Sequence, residues 1–190
     1  MKKALLMSGM VAFMSQTANA SIGFGSCPTF EPMKNVDYDR YYGYWYEYLK
    51  DITFTTGLVA SCVRAQYRAR DDGKIFVENE ASIWPLTNVQ GLGIDGWAQC
   101  ASDDGSCEVR LRYGAFTGDT NYHIIDTDYE SYAILYDCER FLDTDWMYKD
   151  LVWILTREPT ISWDLHWKTA AILSEKLPFY WTWPWTSYTW

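Results

Sequence analysis

From residue 44 to residue 157 the chain falls into eight short segments of alternating apolar and polar residues: 44–50, 61–69, 74–83, 91–100, 107–113, 122–126, 131–138 and 151–157. Alternation with period two is the signature of a strand with one buried and one wet face. In "CEVRLRY", Val109, Leu111 and Tyr113 share one face while Glu108, Arg110 and Arg112 share the other. The runs Asp71-Asp72-Gly73, Asp103-Asp104-Gly105 and Thr117-Gly118-Asp119 supply the turn chemistry that joins antiparallel neighbours. Strands following one another at such even, short spacing form an up-and-down meander, which either sandwiches or closes. Eight strands closed on themselves enclose room for their own side chains or for one small ligand.

Beyond Pro159 the period changes. Ile161, Leu165, Trp167 or Lys168, Ile172 and Leu177 recur at helical spacing, with Thr160 or Ser162 available as cap, and predict one helix of about four turns. The final stretch "FYWTWPWTSYTW" reads as neither helix nor ordinary tail, and residues 178–190 are set apart as an aromatic C-terminal segment.

At the other end, Met1-Lys2-Lys3, an apolar run to Phe13 and Ala18-Asn19-Ala20 have the three zones of a secretory signal peptide, so 1–20 is expected to be removed. The apolar run falls short of the roughly 20 residues of a membrane-spanning helix, and no later stretch reaches that length. The expectation is an exported, soluble protein, periplasmic if the source is bacterial. A net charge of −9 argues against a nucleic-acid partner, which requires a basic surface.

Five cysteines in an exported chain suggest disulfides. The odd count leaves at least one thiol unpaired or shared between chains, so a homo-oligomer stays open. Cys100 and Cys107 flank a turn on adjacent strands, a spacing that suits a cross-hairpin bridge. With two histidines and no CxxC, a zinc site is not expected, and no cofactor is implied.

Three separated signatures then carry a resemblance. The first is Asn35-Val36-Asp37 followed by Tyr41-x-Gly43-x-Trp45-Tyr46-Glu47; the second is Thr127-Asp128-Tyr129; the third is Arg157 in "LVWILTREP". In this order, with this strand count and a helix after the third, the chain resembles the lipocalins over residues 21–177. "CVRAQYRARDDGKIFVEN" is similar to the apolipoprotein D-like, bilin-binding and crustacyanin-like branch, and "HIIDTDY" to plasma retinol-binding members. The resemblance implies an all-β fold: an eight-stranded antiparallel up-and-down barrel with one C-terminal α-helix. Gly43 would let the backbone pass close beneath the barrel, Trp45 would plug it, and Arg157 would lay its guanidinium over the indole, worth about 1 kcal/mol. Thr127, Asp128 and Tyr129 would fasten the same end. These motif residues read as architecture, with no contact to a ligand. The resemblance also implies a bridge between Cys27 and Cys138.

Counting by twos from an inward Trp45, aligned with the family's cup, turns Glu47, Leu49, Val63, Ala65, Tyr67, Ile75, Val77 and Asn79 inward. The same count adds Leu111, Tyr113, His123, Ala133, Leu135, Leu151, Trp153 and Leu155. Such a wall would take a small hydrophobic ligand by apolar burial, with Tyr67, Asn79 or His123 fixing a polar end. For that ligand the resemblance implies a retinoid, steroid, fatty acid, bilin or carotenoid; the bland alternative is a barrel filled by its own side chains. Cys62, left over from the pairings, opens a rival reading as a thiol catalyst, because one lipocalin type uses a cup cysteine so. The tail opens a third, through Trp181, Trp183, Trp185, Tyr188 and Trp190: covering the barrel mouth, docking on a partner, or peripheral contact with lipid.

Overall fold

The computed structural model describes residues 22–50, 60–83, 92–113, 116–141, 144–180 and 186–187. The alternating segments form β2 (Gly43–Lys50), β3 (Ala60–Ala69), β4 (Ile75–Ile83), β5 (Leu92–Cys100), β6 (Ser106–Tyr113), β7 (Phe116–Thr127), β8 (Tyr132–Arg140) and β9 (Met147–Thr156). Each pairs antiparallel with the next, and β9 pairs back onto β2, so the meander closes into an eight-stranded barrel. Two short strands extend it: β1 (Gly23–Phe24) on β9, and β10 (Thr186–Ser187) on β2.

Alternation sorts the side chains. On β3 and β4 the apolar faces turn inward, while Arg64 reaches Glu80 and Arg68 reaches Glu78 across the outer surface, a cross-strand pairing that favours this register. The turn after β3 uses Gly73 at φ +77°, a conformation glycine adopts without Cβ strain. The reversal expected at Thr117-Gly118-Asp119 lies elsewhere. Those residues sit inside β7, opposite Arg110 to Arg112, and Tyr113 pairs with Phe116; residues 114–115 between them lie outside the described residues.

The predicted helix is α2 (Trp163–Lys176), capped by the Ser162 hydroxyl, which accepts from the Leu165 N–H. Its buried face is Thr169 and Leu173, continued by Leu177, while Trp167 points outward. This face covers the outside of β8 and β9, where Tyr132, Ile134, Tyr136, Val152 and Ile154 form a second core. That is why "YAILY" on β8 is apolar at every position: one face packs inside the barrel and the other under α2. Phe179 and Tyr180 continue onto Tyr136; residues 181–185 and 188–190, with all four tail tryptophans and Tyr188, lie outside the described residues.

Two disulfides tie the frame. Cys27 joins Cys138, fastening the N-terminal segment to β8, and Cys100 joins its register partner Cys107 across β5 and β6.

Candidate functional site

The barrel is sealed where β2 begins. Asp37 caps the short helix α1 (Tyr38–Tyr41), and its backbone N–H donates to the Tyr129 hydroxyl at 3.0 Å. Gly43 follows at φ +105°, and a Cβ there would meet the Arg157 guanidinium at 3.2 Å. Trp45 is fully buried and donates its indole N–H to the Tyr41 carbonyl at 2.8 Å. The Arg157 guanidinium lies 3.7 Å from the indole centroid. It donates to the carbonyls of Tyr129, Tyr44, Arg40 and Tyr41, at 2.9, 2.8, 2.9 and 3.3 Å. One cation thus ties α1, β2 and the turn before β8 over a single ring.

That turn is held by Thr127 and Asp128. The Thr127 hydroxyl donates to the Tyr132 carbonyl and accepts from the Tyr129 N–H, which fixes Tyr129 in a left-handed conformation at φ +68°. Asp128 accepts the N–H groups of Glu130, Ser131 and Tyr132, the Ser131 hydroxyl and Lys168 from α2. Burial alone would raise its carboxyl; the bonds from Ser131, Tyr132 and Lys168 outweigh that and hold it well below the usual carboxylate range.

Above the plug, three tyrosines form a floor. The Tyr41 and Tyr67 rings meet edge to face at 5.2 Å, and Tyr122 packs in the same buried cluster. Burial raises all three phenols. Tyr67 is pushed up to about 12, with the Glu47 charge adding to burial and the hydroxyls of its two neighbours working against it. All three are neutral hydrogen-bonding groups at pH 7.

Over this floor is a cavity of about 130 Å³. Glu47, Val63, Ala65, Tyr67, Val77, Asn79, Leu111, Leu135, Trp153 and Leu155, all placed inward by alternation, line it. Val109 completes the aliphatic wall, and Tyr122 the floor. Val109 shares a face with Leu111 in the sequence and could have been read from it. Ile75 and Ala133 pack in the same inner core without lining the cavity, and Leu151 is half-buried and likewise does not line it.

Two of the expected lining residues lie elsewhere. Leu49 sits in the outer core under α2, because a β-bulge at Tyr48 pairs Glu47 with Leu155 but Leu49 with Ile154, reversing the inward count. His123 also faces outward. Tyr122 and Ile124 take the inner face, while His123 pairs with outward Tyr136, contacts the Phe30 ring at 4.8 Å and places Nδ1 3.0 Å from the Ser106 hydroxyl. Burial pushes its imidazole down, against the opposing pull of Asp104. A count by twos carried across the second bulge, at Ile125, slips by one residue and exchanges Tyr122 for His123. The Tyr113 side chain lies outside the described residues.

Cys62 is half-buried at φ +53° where β3 shifts register against β4, and it does not line the cavity. His166 packs outside the barrel against the Tyr48 hydroxyl, Trp163 and Trp167. Among the described residues, no three of His, Cys, Asp and Glu are grouped to hold a metal ion, and no helix is long and apolar enough to cross a membrane.

A closed antiparallel meander, plugged at one end, flanked by a helix and hollow above a tyrosine floor, defines a cup-shaped barrel. A family model described as a lipocalin-like domain matches residues 36–182. Apolipoprotein D of Rattus norvegicus is 31% identical over 157 residues, covering 82% of this chain and 78% of the relative. Retinol-binding protein 4-A of Oncorhynchus mykiss is 33% identical over 141 residues, covering 67% and 74%. Insecticyanin of the tobacco hornworm Manduca sexta superimposes with a TM-score of 0.76 at 20% identity, covering 89% of this chain and 88% of that one. The chain belongs to the lipocalin family.

Proposed function

We propose that this protein is an exported binder that holds one small hydrophobic molecule in its cup and carries or sequesters it. The observation that carries the reading is the cavity above the Tyr67 and Tyr122 floor, walled by Val, Leu, Ala and Trp side chains on five of the eight strands. A relative named for retinol supports the same class of cargo. The size narrows the choice. A cavity of about 150 Å³ accepts benzene, whereas drug-sized ligands occupy roughly 300 Å³ or more. At about 130 Å³ the cup suits a molecule of about one ring better than a retinoid, steroid, fatty acid, bilin or carotenoid. Burying about 200 Å² of apolar ligand surface contributes about 5 kcal/mol before the entropy of association is subtracted. The leader-like residues 1–20 and the two disulfides support export to an oxidising compartment.

The test is to purify the protein natively, record its absorption spectrum, and analyse the denatured extract by mass spectrometry. A parallel thermal-shift series runs from benzene-sized compounds to retinol. One small apolar molecule near 1:1, or a saturable rise in Tm with the smaller compounds, is expected. The proposal fails if nothing co-purifies and no compound shifts Tm.

A further inference from the structure

The cup has a charge preference that its apolar area conceals. One lining residue, Glu47, carries a carboxyl group and is only 6% exposed. A second, Asn79, offers a carboxamide, and Tyr67, Tyr122 and Trp153 offer electron-rich rings. None of the lining residues is Lys, Arg or His.

Each feature acts in the same direction. A carboxyl group among apolar side chains offers a buried anion no counter-charge, and none of the other lining residues is a cation, so a fatty acid or another carboxylate finds no charged partner in the lining. A buried cation meets the opposite situation: Glu47 supplies the counter-charge, and the three rings can each stabilise it through their faces. The register places Glu47 on β2 and Asn79 on β4, on the strands either side of Ala65, whose methyl group leaves the intervening wall shallow. The net charge of −9 draws cations toward the molecule as a whole.

The geometry points to a small organic cation as the ligand class: a single ring in the aliphatic part of the cup, with its ammonium group against Glu47 and within reach of the Asn79 carbonyl. This rests on the cup being the binding site and adds a charge to its ligand.

The probes are three molecules of nearly one shape at pH 7: benzylamine as cation, benzyl alcohol as neutral isostere and benzoate as anion, titrated calorimetrically into the full protein. Benzylamine should bind at least tenfold more tightly than benzyl alcohol, and benzoate should give no saturable heat. Glu47→Gln should bring benzylamine to the level of benzyl alcohol, whose binding also reports that the variant is folded. Ala65→Leu, which fills the cavity, should abolish binding of both. If benzyl alcohol binds as tightly as benzylamine, or Glu47→Gln keeps the preference, the cation assignment is overturned while the cup reading stands. Binding that survives Ala65→Leu places the site elsewhere and overturns both, as does failure of all three probes to bind.

Discussion

Arg157 offers the sharpest test of how the barrel is closed. Its four donors reach carbonyls on three separate stretches of chain, and its plane covers the buried Trp45 ring at 3.7 Å. A half-buried cation over an indole contributes about 1 kcal/mol, and the bond to the Tyr129 carbonyl about 1.5 kcal/mol. Water can replace much of what the more exposed donors give. Arg157→Ala should therefore destabilise by about 4 kcal/mol, allowing for the uncovered indole and the carbonyls left without the guanidinium. Arg157→Lys keeps the charge but not the planar fork, and one ammonium cannot reach all four carbonyls, so about half of that loss should remain. At roughly 2–4 °C per kcal/mol for a chain of this size, the expected falls in Tm are about 8–16 °C and about 4–8 °C. Urea unfolding followed by tryptophan fluorescence, with unchanged m-values, gives the same quantities independently. A loss below about 1 kcal/mol for Arg157→Ala, or full recovery by lysine, would show that charge or packing alone holds the plug and that the forked geometry contributes nothing.

Three further outcomes follow from the frame. The Cys27–Cys138 bridge spans 111 residues and the Cys100–Cys107 bridge 7, so chain entropy assigns them ceilings of about 5 and about 2.5 kcal/mol; paired serine replacements should lower the urea midpoint more for the first, and equal shifts would contradict that account. A Cβ on Gly96 would stand 1.9 Å from the Arg110 carbonyl oxygen, while one on Gly93 meets nothing within 4 Å. Gly96→Ala should accordingly cost more than about 2 kcal/mol and Gly93→Ala less than about 0.5 kcal/mol by chemical denaturation, with equal effects counting against the close approach of β5 and β6 at Gly96. Asp128 titrates lower folded than unfolded, so its contribution is present above the unfolded carboxyl range and lost as pH falls through the folded value. Asp128→Asn should cost about 1–2 kcal/mol at pH 7, and the gap to the parent protein should narrow steadily below about pH 4; a gap that stays constant down to pH 2 would rule out this linkage.

The strand count, the helix and the plug could be read from the sequence because each is specified by local periodicity or by a residue whose chemistry has few uses. Alternation needs only the pleat, and it carried ten lining positions onto the inner face. Where it failed, the ladder itself was interrupted. At Tyr48 one extra residue on β2 opposes β9, so Leu49 joins Ile154 under α2. Near Ile125 a similar interruption separates the β7 residues facing Leu135 from those facing Ile134, and His123 falls on the wrong side of the count. No residue type announces either bulge: both lie in apolar runs where the two faces are covered, one by the barrel core and the other by α2, so hydrophobicity marks neither side as out.

The size of the cup was beyond the sequence for a different reason. Apolar lining alone is equally consistent with a wide pocket and a filled barrel, and the difference lies in where three aromatic rings end. Tyr41, Tyr67 and Tyr122 come from α1, β3 and β7, far apart in the chain, and their side chains meet only once the barrel has closed. Their rings then pack together in the barrel's middle and raise the floor of the cup. Floor height is therefore set by side chains that meet only on closure: in the proposed reading the same packing that fills the barrel's middle restricts the cargo to about one ring, with Glu47 in the space above as the group proposed to select it.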